Sequence, residues 1–193
     1  MALMNVILGL SGAGKDTVAG LLGESETVAN IKFSIPMKRM LEVAYCLPSG
    51  YLDIREARYE ISPTGVQYLE LMLRCFEHLR TIDPHIMFPG TQEAFDAAIA
   101  RGASPVFTDV RSPEETEFLR MQVDQGHQLV LWGVSRPGSR MLPSDTGLLK
   151  NLDTLTPVAT YVADVYNTGT LDFLRCQVRQ HLGAVKVLLE APC

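Results

Sequence analysis

Gly9-Leu10-Ser11-Gly12-Ala13-Gly14-Lys15-Asp16-Thr17 decides how this chain is read. An apolar run at 4–8 precedes the stretch and a helical pattern at 18–22 follows it. Strand, glycine-rich turn and helix together form the context in which successive backbone N–H groups curl around an anion. Lys15 adds a charge that can reach terminal phosphates, and the following helix points its positive end at the same place. Ser11, Gly12, Ala13, Gly14, Lys15, Asp16 and Thr17 are therefore the candidate ATP contacts. The usual motif ends in Gly-Lys-Ser/Thr, with the hydroxyl on magnesium. Here Asp16 takes that place and Thr17 follows. Asp16 reads either as a favourable charge in a first helical turn or as a carboxylate acting on a substrate hydroxyl or the magnesium shell.

The rest of the composition narrows the class. With 193 residues, 47% of them apolar, the chain suits one domain, 1–193, with a sizeable core. A net charge of -5 argues against a nucleic-acid polymer as partner, because neutralising many phosphates takes a broad basic surface. A small phosphorylated ligand needs only a few convergent cations. Arginine, with 12 residues against 5 lysines, supplies most of them, and its planar fork suits bidentate contact with phosphate. Cys46, Cys75, Cys176 and Cys193 form neither a zinc spacing nor a disulfide framework, and the four histidines lack a recurrent ligand spacing. No signal segment opens the chain, and no apolar run approaches the roughly 18 residues of a membrane span. The expectation is a soluble, cytoplasmic protein without a membrane partner; a homodimer is one arrangement the sequence allows.

Periodicity gives the element order. Strands are expected at 28–33, 104–109, 128–134 and 161–166, the third of these carrying Trp132 as a core residue. A helix starts at Pro36 with Met37, Met40, Leu41 and Ala44 on one face, and another covers 65–80 with Leu69, Leu73, Phe76 and Leu79 aligned. A third spans 92–101. Ser112, Pro113 and Glu115 form a capping-box start for the next. A final helix at 170–182 carries Leu171, Leu174, Val178 and Leu182 and ends at Gly183. Residues 136–150, rich in Pro, Gly, Ser and Arg, read as a mobile lid loop. Strands separated by helices imply an α/β fold with a parallel sheet flanked by helices.

In such a sheet, ligands bind beyond the carboxyl ends of the strands, where residues 9–17, 109–111 and 136 would converge. Asp109 reads as a strand-end acid that helps hold hydrated magnesium or a substrate hydroxyl, or as the cap of the next turn. Arg111 could bind an acceptor phosphate or pair with Glu114 or Glu115. Arg136 and Arg140 could close over the phosphates and offset charge in the transferring group, or form a solvated basic loop. Thr17 and Asp109 are the candidate magnesium ligands, directly or through water.

Phe33-Ser34-Ile35-Pro36-Met37-Lys38, Thr108-Asp109-Val110-Arg111, Ser135-Arg136-Pro137-Gly138 and Asn167-Thr168-Gly169-Thr170-Leu171 follow the loop in order. With them the chain resembles the tailed-phage deoxynucleoside monophosphate kinases, and the Gly-Lys-Asp-Thr form is the sharpest point of likeness. The resemblance implies the nucleoside monophosphate kinase fold, a helical substrate-binding region at about 36–103, and transfer of the ATP γ-phosphate to a deoxynucleoside monophosphate with magnesium. It also implies Asn167 and Gly169 near the donor adenine, with Phe33, Lys38, Arg80, Asp109 and Arg111 on the substrate side, and, for a phage protein, residence in the host cytoplasm. Phosphomevalonate kinases share the Gly-Lys-Asp variation and dephospho-coenzyme A kinases the general architecture. A nucleotide-binding switch without transfer chemistry is the reading from another class.

Overall fold

A computed structural model describes residues 1–139, 141, 145 and 147–190. Five strands, β1 (Leu3–Leu8), β2 (Val28–Ile31), β3 (Ser104–Phe107), β4 (Gln128–Ser135) and β5 (Tyr161–Tyr166), alternate with helices. These are α1 (Lys15–Gly23), α2 (Ile35–Ala44), α3 (Tyr68–Ile82), α4 (Phe88–Ala100), α5 (Pro113–Asp124), α6 (Leu148–Leu155) and α7 (Leu171–Glu190). The chain divides into two compact units, Met1–Lys32 with Ala94–Cys193, and Phe33–Glu93. No described helix is long and apolar enough to cross a membrane.

The first unit is an α/β layer with the sheet order β2-β3-β1-β4-β5, and every strand pair is parallel. The chain winds to one side of β1 through β2 and β3, then crosses to the other side for β4 and β5. That reversal leaves a crevice at the carboxyl end of β1, between the loops that follow β3 and β4. Met4 to Leu8 are all buried, as expected of a central strand covered on both faces. Side chains alternate across the sheet. Val106 joins the cluster formed by Val18, Leu21 and Leu22 of α1 and Leu174, Val178 and Leu182 of α7. Its neighbour Phe107 instead meets Phe95 of α4 and Phe118 of α5, each at 6.3 Å between ring centroids.

Several boundaries depart from the periodicity. β2 stops at Ile31 and β3 at Phe107, so Asp109 stands beyond the strand end, in the loop leading to α5. The α5 start matches expectation: Ser112 Oγ accepts the Glu115 N–H while the Glu115 carboxylate accepts the Ser112 N–H. α6 begins inside the stretch expected to be loop, and α7 runs past Gly183 to Glu190 because Val185, buried at 2% exposure, extends its apolar stripe.

The second unit contains α2, α3, two short 3-10 turns at Tyr51–Asp53 and Glu56–Tyr59, and the first part of α4. Leu41, Leu52, Tyr68 and Met72 form its core. The expected α2 face is corrected: Met37, Lys38, Leu41 and Glu42 are buried, while Met40 is 43% exposed and Ala44 is exposed. Apolar periodicity fails there because the polar residues bring their own partners. The Glu42 carboxylate accepts from the Gly50 N–H at 3.1 Å, the Leu52 N–H at 2.8 Å and Arg39 Nη1 at 2.7 Å. α3 likewise buries Tyr68 and Met72 and leaves Leu73 exposed; it starts at Tyr68 rather than 65, after a turn closed by an Ile61–Gln67 bridge.

Candidate phosphate-binding site

β1 delivers the chain into the loop, and two glycines set how tightly it turns. A Cβ on Gly9 would fall 2.3 Å from the Val134 carbonyl oxygen, so only glycine fits between β1 and the neighbouring β4. Gly14 caps α1 with φ +104°, and its missing side chain lets Asn167 approach: a Cβ there would lie 2.5 Å from Asn167 Nδ2. Asn167 donates to the Ala13 carbonyl at 2.9 Å, tying the end of β5 to the loop. Lys15 Nζ donates to the carbonyls of Gly9 at 2.7 Å and Leu10 at 3.0 Å. Arg136, just past β4, reaches the Gly12 carbonyl with a long 3.5 Å contact.

The electrostatics favour an anion. Burial lowers the Lys15 pKa, and Arg111 lowers it further; Asp145, Asp16 and Asp109 pull the other way without restoring the ordinary value. An ammonium so placed gains from added negative charge, as a phosphate would supply. Asp16 takes the opposite shift. Burial pushes its carboxyl up, but the charge and hydrogen bond of Lys32, the Thr108 hydroxyl and the Lys15 charge outweigh it, holding the group ionised below its usual range. Lys32 Nζ lies 3.2 Å from Asp16 Oδ1, and Thr108 Oγ1 donates to the same oxygen at 3.1 Å.

The loop after β3 brings the second cation. The Arg111 N–H donates to Glu115, which fixes the backbone, while Arg111 Nη1 stands 3.8 Å from Asp145 Oδ1. Asp145, only 6% exposed, accepts from the Ser11 N–H at 3.2 Å and from Ser11 Oγ at 3.1 Å. Gly9, Lys15, Thr108, Arg111 and Asp145 thus line one narrow crevice. Among the described residues no cluster of three or more His, Cys, Asp or Glu forms a metal cage. Thr17, Asp16 and Asp109 carry hard oxygen donors, the type of group magnesium takes when it keeps most of its water.

The residues expected at the site therefore fall into groups. Ser11, Lys15, Asp16, Arg111, Arg136 and Asn167 are linked to the loop by the contacts above, with Asp109 within reach of Lys15 electrostatically. Gly169 precedes α7, where a Cβ would meet the Phe173 ring at 3.5 Å. Phe33, Lys38 and Arg80 belong to the second unit. There Phe33 is buried, Lys38 Nζ donates to Asp53 at 2.9 Å, and the Arg80 guanidinium lies 4.0 Å above the Phe76 ring. Arg140 lies outside the described residues. Sequence reading missed Lys32, Thr108 and Asp145. Thr108 could have been found, since it directly precedes the strand-end Asp109, whereas Asp145 lies 134 residues from Ser11 with no local signal.

No family model matches the chain, and no curated relative matches it. Among solved structures it is similar to an unliganded sugar kinase from Janibacter sp. HTCC2649, at 16% identity over 97% of this chain and 98% of that one, with TM-score 0.45. TT1252 from Thermus thermophilus is similar at 19% identity over 98% of both chains, TM-score 0.49. A gluconokinase from Sinorhizobium meliloti 1021 follows at 16% identity over 96% of this chain and 94% of that one, TM-score 0.43. All three scores lie below 0.5, so what the protein does is read from its own site.

Proposed function

We propose that the chain is a magnesium- and ATP-dependent phosphotransferase whose acceptor is a deoxynucleoside monophosphate. The observation that carries this reading is the meeting of two cations from separate segments, Lys15 of the loop and Arg111 beyond β3, in one crevice. A protein that only binds nucleotide needs donor contacts; a second cation beside them suits an acceptor that is itself a phosphate. The deoxynucleotide choice rests on the ordered likeness at 9–17, 33–38, 108–111, 135–138 and 167–171.

The loop N–H groups and Lys15 would hold the donor, with Arg111 toward the acceptor and Arg136 against charge spreading over the transferred group. Transfer is in line: an acceptor phosphate oxygen forms the new P–O bond as the bond to the ADP oxygen breaks, and that oxygen keeps the electron pair. Magnesium, when bound, neutralises charge on the β- and γ-phosphates. Asp16, held ionised, would orient either the water of that ion or the acceptor. A phosphate acceptor is already anionic, so no strong general base is needed.

Purified protein is incubated with Mg-ATP and dAMP, dGMP, dCMP, dTMP and their ribose counterparts, then with phosphomevalonate, dephospho-coenzyme A and gluconate, and ADP and product are measured. Formation of a deoxynucleoside diphosphate is the expected result. Product from a non-nucleotide acceptor alone would replace the acceptor assignment, and ATP binding without transfer would favour a switch. Lys15→Ala should lower turnover by about 10²–10³-fold or more with an unchanged circular dichroism spectrum. Retained turnover in that variant would remove the loop from the mechanism.

A further inference from the structure

We propose that Asp145 is an internal ligand of the phosphate loop, a carboxylate seated on donors that a terminal phosphate needs, so that nucleotide binds by displacing it. The inference rests on the ATP-binding reading above. Asp145 uses both oxygens as a phosphate edge would: Oδ2 accepts the Ser11 N–H at 3.2 Å and Oδ1 accepts the Ser11 hydroxyl at 3.1 Å. Arg111 Nη1 lies 3.8 Å from Oδ1, and the carboxylate's charge acts on Lys15. Backbone N–H, hydroxyl, guanidinium and ammonium are the donor set that recognises phosphate oxygens.

Burial sharpens the point. A carboxylate at 6% exposure is costly unless it is paired and hydrogen-bonded, and these partners supply both. The chain then passes close to the loop that carries Arg111. Gly147, two residues on, passes so close to the loop after β3 that an added Cβ would fall 2.5 Å from the Arg111 carbonyl oxygen. A ligand anion and this carboxylate cannot share the Ser11 donors, and like charges in one crevice repel. The unliganded chain therefore keeps its phosphate site neutralised, and apparent nucleotide affinity is reduced by the fraction of molecules in which Asp145 is seated.

The test compares ATP binding, by calorimetry without magnesium, in the wild-type chain, Asp145→Asn and Asp145→Ala. Both variants should tighten the dissociation constant by about five-fold or more, the factor expected if Asp145 is seated in some four-fifths of free molecules. Equal or weaker binding by folded variants overturns the proposal and leaves ATP recognition standing. Absence of ATP binding in all three chains removes both.

Loss of one negative charge could tighten binding with Asp145 still seated on Ser11, so a second measurement uses the wild-type chain alone. Its aspartate carboxyl carbons are labelled with carbon-13, and the Asp145 signal is followed as inorganic tripolyphosphate is added; if Asp145→Asn folds, its missing peak gives the assignment, and otherwise sequential assignment does. The signal should move to the shift of a solvated carboxylate as the loop saturates. A signal that stays in place at saturation overturns the proposal even if the variants bind more tightly.

Discussion

Asn5 sits in the most apolar strand of the protein at 0% exposure, and its side chain explains how a polar residue survives there. Its Oδ1 accepts the Trp132 indole N–H at 2.9 Å, and its Nδ2 faces Glu26 Oε1 at 3.5 Å. Trp132→Phe keeps most of the ring volume but strands that oxygen, so the variant should lose about 1–3 kcal/mol in urea denaturation. Asn5→Leu introduced into it should restore part of the loss, because it removes the stranded oxygen and gives up only the long 3.5 Å contact to Glu26; a second loss of equal size would show that the pair with Trp132 is not what holds Asn5. Trp132 was legible as core from its strand pattern. Asn5 was not, since its partner is 127 residues away and nothing nearby marks it. The site divides in the same way. Lys15 and its glycines stand out in the sequence because they form a contiguous motif, but Lys32, Thr108 and Asp145 meet that stretch only once the strands are side by side.

Elements were legible where their signals are local. The α5 capping box involves residues three apart, and it forms as the sequence indicates. Helix ends and buried faces depend on tertiary burial, which explains the misreadings. Gly183 has the chemistry of a helix terminator, yet α7 continues for seven residues because Leu182 and Val185 stay packed against the sheet cluster. An interior glycine costs roughly 0.5–1 kcal/mol relative to alanine, less than the roughly 1.5–3 kcal/mol that full burial of a valine contributes. Nothing lies within 4 Å of the position a Cβ would take at Gly183. Gly183→Ala should therefore stabilise the protein by about 0.5–1 kcal/mol, seen as a higher thermal midpoint. A lower midpoint would mean that α7 ends near Gly183 in solution. The same competition moved the α2 face: hydrophobic spacing favoured Met40 and Ala44, but Glu42 satisfies two backbone N–H groups of the following turn and takes the buried side.

For the molecule as a whole, alternating strands and helices were enough to expect a parallel sheet, but not the order of its strands or the division at Phe33 and Glu93. Both depend on contacts between distant segments, whereas the response to pH turns on carboxylates whose main partners lie nearer in the chain. Burial pushes the Glu42 carboxyl up, but the Leu52 N–H, Arg39 and the Gly50 N–H overcome it and hold the group below 4.5. Asp53 is likewise pushed up by burial and brought below its usual value by Arg39 and Lys38, and Asp16 is shifted in the same direction. A carboxyl with a folded pKa below the unfolded one contributes stability that is complete above the unfolded value and is lost as pH falls through the folded value. Glu26, raised by burial, works the other way: its penalty is relieved on acidification. Asp16 and Asp53 have side chains 75% and 42% exposed, so solvent screens much of their share, whereas that of Glu42 is 2% exposed and dominates. Glu42→Gln should thus destabilise the protein at pH 7 and progressively less as pH falls below the ordinary glutamate range toward the lowered value of the folded group. Urea denaturation of both proteins from pH 7 to pH 3 measures the gap. A gap that stays constant across that range would mean that Glu42 holds its turn by shape alone, without its charge.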